Sequence, residues 1–219
     1  AEGFVTLGIF GQTEAIACHR FWPTKWPEVY ARSAPAVNYV GVPSPILASD
    51  VVDETGTPVR GQPGEAVYRS PVVMAGYYRN EEATREAFRG GWFHSGDSAQ
   101  IDDDGLRIMV DRYKDIVKSG GENVSSMRVE SVLYGHPDVE RAAVIGLDHP
   151  RWGEAVTAVV VPRAGSTPDA ESIIAHCRER LAGFETPKAI VFADTLPDTV
   201  GGKVLKYKLR AEHAHLYDS

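Results

Sequence analysis

Short apolar runs separated by turn-forming residues dominate the first half of the chain. The runs at 4–10, 46–53, 64–70 and 106–110 have the composition of β-strands. Residues 15–45 are rich in Pro and Trp, which predicts irregular surface with short strands. We therefore expect a small antiparallel β unit, followed by a helix over 81–88 that Asn80 caps and Gly90-Gly91 ends.

Helical periodicity alternates with runs rich in valine and alanine after about residue 115. These runs predict strands at 140–146, 155–162 and 189–192. Helices are predicted from a cap at Ser125 or Ser126 to Tyr134, from Thr167 as N-cap through Pro168 to Gly183, and over 205–213. The expected fold class is mixed α+β: a β-rich first part, then a small α+β domain with a three-stranded sheet and flanking helices.

Composition narrows the function classes. The net charge of -7 argues against broad nucleic-acid binding, because that needs a basic face. No apolar run approaches the roughly 20 residues that span a bilayer, and no signal-peptide pattern opens the chain. Cys18 and Cys177 are far apart, so neither a disulfide framework nor a zinc site is indicated, and both are expected to be thiols in a reducing cytoplasm. The chain opens directly on the strand-like run 4–10, and we expect it to begin inside a larger domain.

Residues 111–123 combine charges, a short apolar pair and two glycines. Because Gly120 and Gly121 free the backbone from the usual φ restriction, this stretch is a candidate boundary that carries functional groups. An ordinary hairpin followed by a helix cap explains the same residues.

Two further stretches are candidates for nucleotide chemistry. Thr13 can donate to a phosphate, Glu14 can hold Mg²⁺ and Phe10 can stack on a base, although a helix N-terminus also favours Thr and Glu. Asp97 can accept two hydrogen bonds from a ribose diol, or it can satisfy its own turn.

The stretch Gly201-Gly202-Lys203 lacks the remaining residues of a P-loop, since Val204 stands where Ser or Thr would coordinate the metal. Lys203 is still a candidate charge clamp for a phosphate. A solvated turn lysine is the alternative.

Six stretches of the chain form an ordered set. They are Phe10-Gly11-Gln12-Thr13-Glu14, Gly64-Glu65 through Gly76-Tyr77, Trp92-Phe93-His94-Ser95-Gly96-Asp97, Asp111-Arg112-Tyr113-Lys114-Asp115, Ser119-Gly120-Gly121-Glu122-Asn123 and Gly201-Gly202-Lys203. In order and spacing the set resembles successive motifs of the AMP-forming adenylating superfamily, which contains acyl-CoA synthetases, luciferases and peptide-synthetase adenylation domains. The resemblance covers essentially the whole chain.

The resemblance implies a reaction in two halves. A small-molecule carboxylic acid, expected to be a fatty acid, attacks the α-phosphate of ATP, and a thiol, usually coenzyme A, then displaces AMP. The implied nucleotide-binding residues are Phe10, Gly11, Gln12, Thr13, Asp97 and Arg112, with Glu14 as the Mg²⁺ ligand. Lys114 is implied as a hinge, Gly120 and Gly121 as the route of the thiol arm, and Lys203 as the catalytic cation.

The chain departs from the family pattern in three places. Phe10 replaces the more usual tyrosine and Asp111 replaces the usual glycine. The Gly/Ser/Thr-rich phosphate loop that ends in Pro-Lys does not occur in this sequence. The resemblance therefore implies that residues 1–112 are the C-terminal part of a large adenylate-forming domain, with its upstream part as a partner, and that 113–219 form a small mobile domain.

We accordingly expect the C-terminal portion of an acyl-CoA ligase, inactive on its own. An adenylation domain of a peptide synthetase is the alternative within the superfamily. A non-catalytic AMP-binding or interaction module is the alternative outside catalysis.

Overall fold

The computed structural model describes residues 8–33 and 37–218. The chain divides into two compact units, of which the first ends at Tyr113 and the second begins at Lys114. A 3-10 turn, Tyr113–Asp115, lies at the division. That the second unit is mobile and that Lys114 is its hinge remain predictions.

An antiparallel seven-stranded sheet forms the first unit, in the order β1-β2-β3-β7-β6-β5-β4. Its strands are β1 (Gly8–Gln12), β2 (Ala15–Phe21), β3 (Asn38–Pro43), β4 (Ala48–Val52), β5 (Gly64–Arg69), β6 (Phe93–Ile101) and β7 (Arg107–Arg112). Two α-helices, α1 (Pro27–Ser33) and α2 (Glu81–Ala87), and a 3-10 helix, Arg89–Gly91, accompany the sheet. Apolar residues that alternate along β4, β5 and β6 bury one core, in which Val51, Tyr68 and Phe93 are fully enclosed.

The start of this unit gives bounds to a region that the sequence left open. Residues 15–21, within the stretch expected to be irregular with short strands, form strand β2, and Thr13-Glu14, expected to be a loop or a helix start, is the turn of a hairpin between β1 and β2. Burial of Ala15 and Cys18 in the core holds β2 in the sheet. Of the predicted strand 4–10, residues 4–7 lie outside the described part of the chain.

A five-stranded sheet forms the second unit, in the order β10-β11-β8-β9, with β12 parallel to β11. Its strands are β8 (Val117–Ser119), β9 (Glu122–Val124), β10 (Val139–His149), β11 (Gly153–Pro162) and β12 (Ala189–Phe192). Its helices are α3 (Ser126–Leu133), α4 (Ala170–Arg178) and α5 (Lys206–Glu212). Successive residues of β10 and β11 point to opposite faces, so α3 and α4 cover one apolar cluster while α5 covers the other through Leu209.

The mixed α+β class is confirmed, but two details were wrong. The sheet has five strands rather than three, because residues 117–124 form a hairpin that joins β11. Helix α4 starts at Ala170 and ends at Arg178: Asp169, not Thr167, caps it, because the Asp169 carboxylate accepts the Ser172 backbone N–H.

Candidate nucleotide and acyl-transfer site

Glu14, in the turn of the β1–β2 hairpin, is held through both its backbone and its side chain. Its carbonyl oxygen accepts the Met74 N–H at 2.8 Å, and its Oε1 accepts the Tyr77 hydroxyl at 3.1 Å. Burial, followed by this bond to Glu14, raises the pKa of Tyr77, so the phenol stays a donor at neutral pH. The segment around Met74 to Tyr77 therefore fixes the direction of the Glu14 carboxylate.

Phe10 and Gln12 lie on the same strand as this turn. The half-buried Phe10 ring packs against the core cluster, 6.3 Å from the His19 ring, and Gly11 occupies a bulge between the paired residues. Gln12 Nε2 is buried and has no hydrogen-bond partner among the described residues. An unpaired buried donor costs about 1–3 kcal/mol, so the Gln12 amide is suited to a ligand that brings an acceptor.

Strands β6 and β7 bring Asp97 and Arg112 together. The two residues are directly opposite in the ladder, with 3.6 Å between Arg112 Nε and Asp97 Oδ1. Asp97 is only 3% exposed, whereas the Arg112 side chain is half-buried. A buried carboxylate beside a guanidinium remains an acceptor, which is what two ribose hydroxyls require.

A carboxylate that sequence reasoning had not assigned a role holds the segment before Asp97. Glu65 Oε1 accepts the Gly96 N–H at 3.1 Å, and Glu65 Oε2 lies 2.6 Å from Arg89 Nη2 and 2.8 Å from His94 Nδ1. Gly64-Glu65 and His94 were noted in the sequence as parts of two motifs. Because these motifs are far apart in sequence, nothing indicated that Glu65 and His94 are hydrogen-bonded.

Near this site the first unit buries several polar side chains. His19 is fully buried, with its Nε2 3.1 Å from Ser49 Oγ, and burial together with the Arg107 charge lowers the pKa of His19 to about 3. The Arg107 guanidinium carbon lies 5.8 Å from the centre of the Tyr68 ring, and burial lowers the pKa of Arg107. His19 is therefore neutral at physiological pH.

In the second unit, Lys114 is exposed and its backbone is held by helix α5. Arg210 Nη2 donates to the Lys114 carbonyl at 3.0 Å and to Asp115 Oδ1 at 2.8 Å. This contact joins residues 95 positions apart, so no local pattern predicted it.

Gly120 and Gly121 form the tight turn between β8 and β9, with φ of 63° and 87°. The hairpin-and-cap interpretation of this stretch is thus correct for its local structure, since Ser125 caps α3 immediately afterwards. A side chain at Gly120 would lie 3.3 Å from the Trp152 ring. The Arg151 guanidinium carbon lies 4.6 Å and the Lys188 ammonium 5.3 Å from the centre of that ring, and sequence reasoning had not singled it out.

Lys203 lies on an exposed loop between Asp198 and Val204, which pair as an isolated bridge. The Thr199 N–H donates to the Lys203 carbonyl at 2.8 Å, and the Lys203 N–H donates to Thr199 Oγ1 at 3.1 Å. Gly202, with φ of 79°, permits the turn. These bonds fix the loop backbone.

Among residues 8–33 and 37–218 there is no group of three His, Cys, Asp or Glu side chains arranged to hold a metal. Glu14 is a single anchored carboxylate. That suits Mg²⁺, which is commonly held by one or two carboxylates together with substrate phosphates and water. In the same part of the chain no helix is long and apolar enough to cross a bilayer.

Comparison with known proteins identifies the family. Residues 128–203 match the AMP-binding enzyme C-terminal domain. The chain is 48% identical over 181 residues to feruloyl-CoA synthase of an Amycolatopsis species, and 43% identical over 182 residues to a long-chain-fatty-acid–CoA ligase of Thermus thermophilus. The chain belongs to the AMP-forming adenylating superfamily.

Solved structures of the adenylating superfamily share the fold. The crystal structure of ATP-bound MatB from Rhodopseudomonas palustris matches with a TM-score of 0.82 and 35% identity over 96% of this chain. The matches cover 82% and 81% of this chain for the Amycolatopsis and Thermus proteins. The chain spans 37% of the feruloyl-CoA synthase, 34% of the Thermus ligase and 41% of MatB. The predicted family and fold are confirmed.

Proposed function

We propose that this chain forms part of an AMP-forming acyl-CoA ligase. The observation that carries the proposal is the buried Asp97 carboxylate opposite Arg112 on the adjacent strand, whose acceptor oxygens would suit a ribose diol. Gln12 Nε2 supports it, because this buried donor has no hydrogen-bond partner within the described residues and a nucleotide brings acceptors. The relatives named as CoA ligases favour coenzyme A over a carrier protein as the acceptor.

In the first half-reaction, a carboxylate oxygen of the acid bonds to the α-phosphorus of ATP and the bond to the β-phosphate oxygen breaks. Pyrophosphate leaves, and acyl-adenylate remains. Phe10, Gly11, Gln12 and Thr13 contact the nucleotide, while Asp97 and Arg112 hold its ribose. Lys203 supplies a fixed positive charge where negative charge gathers on the phosphorus.

Glu14 would hold Mg²⁺ in this step. The ion supplies charge neutralisation to the phosphates when it is bound. The role of the protein is to direct the Glu14 carboxylate, which Tyr77 and the backbone of Met74 do here.

In the second half-reaction, the sulfur of coenzyme A bonds to the acyl carbon and the bond to the AMP oxygen breaks. AMP leaves, and the thiol proton passes to solvent. Gly120 and Gly121 let the thiol arm pass close to the backbone. Lys114 is the hinge by which residues 113–219 withdraw Lys203 after the first half and present the glycine turn for the second.

The acid is proposed to be a fatty acid. One relative acts, by its name, on long-chain fatty acids and another on ferulate, so a panel of acids must include an aromatic one.

Two measurements test the proposed function. In the ligase that carries this chain, pyrophosphate release should depend on the acid, and a thioester should form with coenzyme A. Transfer of the acyl group to a phosphopantetheine carrier protein instead would identify a peptide-synthetase domain. With the 219-residue chain alone, we expect no pyrophosphate release. Micromolar AMP binding by calorimetry, in a parent protein that shows no turnover, would support the binding-module alternative.

A further inference from the structure

Arg141 connects the Lys203 loop to strand β10, at the edge of the sheet. Its Nη1 and Nη2 donate to the two carboxylate oxygens of Asp198 at 2.7 and 2.9 Å. Parallel bonds of this kind fix orientation as well as distance, which a single-point ion pair does not.

Asp198 is the residue at which the loop leaves the body of the second unit. It pairs with Val204, the residue directly after Lys203, so Asp198 and Val204 close the loop. Leu196 and Val204 pack into the apolar cluster under α5, and the Leu205 N–H donates to the Pro197 carbonyl at 2.7 Å. Beyond these contacts the loop tip is exposed at Val200, Gly201 and Gly202.

Two sets of contacts hold the loop. Bonds between Thr199 and Lys203 lie within the loop, whereas the bidentate pair joins its first residue, Asp198, to Arg141 on β10. Arg141 also compensates the charge of the Asp198 carboxylate. The hydrogen bond from Arg141 lowers the pKa of Asp198, so the pair persists in mildly acidic solution.

We propose that Arg141 and Asp198 are positioning residues for Lys203, which hold its loop in the orientation needed for acyl-adenylate formation. The proposal rests on the proposed function of Lys203. Neither residue contacts the reacting atoms in this mechanism.

The first test needs no activity. Hydrogen–deuterium exchange of the 219-residue chain should show the Gly202 and Lys203 amides exchanging about two- to fivefold faster in Arg141→Ala, the range expected for loss of a partly exposed ion pair. Arg178→Ala is the control, since it removes a different surface pair, Arg178–Glu171 at 3.7 Å, on α4. The double variant Arg141→Asp with Asp198→Arg should return exchange toward the original rate. Unchanged exchange in Arg141→Ala, or no recovery in the double variant, would overturn the proposal.

The second test measures both half-reactions in the ligase that carries this chain. Arg141→Ala should slow acyl-adenylate formation by a similar two- to fivefold, with KM for ATP and thioester formation from supplied acyl-adenylate unchanged. Faster exchange without a slower adenylation step would refute positioning for catalysis. If Lys203→Ala slows both halves equally, the proposed function of Lys203 fails instead, and exchange still decides whether Arg141 orders the loop.

Discussion

The Asp97–Arg112 pair and the Lys203 loop are built in opposite ways. Asp97 is buried on β6, directly opposite Arg112 on β7, and Glu65 fixes the residue before it. Lys203 is exposed on a turn that the Asp198–Val204 bridge closes and that Arg141 ties to β10. The Asp97–Arg112 pair is thus part of a sheet, whereas Lys203 is part of a loop.

This difference matches the timing of the proposed reaction. AMP is present in both half-reactions, so groups that hold its ribose gain from rigid placement in a sheet. The cation is needed only while charge gathers on the phosphorus, so a residue on a loop of a separate unit can act once and withdraw. The predictions below test this contrast.

The largest effect is expected for Lys203→Ala in the proposed ligase of which this chain forms part. Loss of one preorganised group at an oxyanion costs about 10²–10³ in rate, so acyl-adenylate formation should fall by that factor. Thioester formation from supplied acyl-adenylate should change little. Lys208→Ala, which removes an exposed lysine on α5, is the matched control. Equal losses in both half-reactions would contradict the contrast.

Lys114→Pro tests whether the two units alternate. Proline fixes φ at about −65° and should therefore favour one conformation of the hinge. One half-reaction should then slow by roughly tenfold or more, while the rate of the other is unchanged. Lys114→Ala removes the same charge without fixing φ and serves as control. If Lys114→Pro left both half-reactions at their normal rates, Lys114 would not be the hinge.

The buried His19 predicts that acid weakens the first unit. Its pKa is about 3 in the folded chain against 6.5 for a solvated imidazole, so its burial has no proton-linked cost above pH 6.5 and lowers stability as the pH falls below 6.5. At pH 5 the loss is about 2 kcal/mol, at 1.36 kcal/mol per pH unit.

Urea unfolding of a Trp152→Phe chain reports on the first unit, because the other tryptophans all precede Tyr113. His19→Gln should flatten the pH dependence, and His215→Gln, on an exposed side chain, should not. An equal slope in the His19→Gln chain would mean that other groups cause the acid loss.

Asp97→Asn tests the nucleotide side of the comparison. A hydrogen bond to a charged group contributes about 1.5–3 kcal/mol, so KM for ATP should rise by about tenfold or more. Both half-reactions should be slower in Asp97→Asn, whereas Lys203→Ala should slow mainly acyl-adenylate formation. Asp103→Asn, on the exposed turn before β7, is the control. A thermal melt shows whether unfolding accounts for the loss, and an effect confined to adenylation would refute ribose binding.

The smallest effect is expected for Gly120→Ala. With φ at 63° an alanine is strained by about 1 kcal/mol, and its Cβ would press on Trp152 at 3.3 Å. Gly165→Ala carries the same strain at φ of 81° with no atom within 4 Å, so it isolates the contact. Stability should fall by about 1 kcal/mol in Gly165→Ala and by at least as much in Gly120→Ala, whereas thioester formation should slow only in Gly120→Ala.

Local chemistry made part of the structure predictable. Asn80 caps α2 and Ser125 caps α3 as expected, and the strand at 189–192 has the predicted bounds. Local sequence signals were insufficient where two residues could serve as the same helix cap, or where a strand lay among turn-forming residues. Asp169 rather than Thr167 caps α4, and the bounds of β2, one of the short strands expected within 15–45, were not predicted.

The sequence by itself determined the family, the positions of the turns and the residues proposed for the chemistry, because motifs, glycines and caps act over a few neighbouring residues. The tertiary structure alone decided what holds those residues. Glu65 to Gly96 spans 31 positions, Arg141 to Asp198 spans 57 and Arg210 to Asp115 spans 95. Such pairs depend on strand register and on which face each strand buries, and both are set when the sheets and helices pack together.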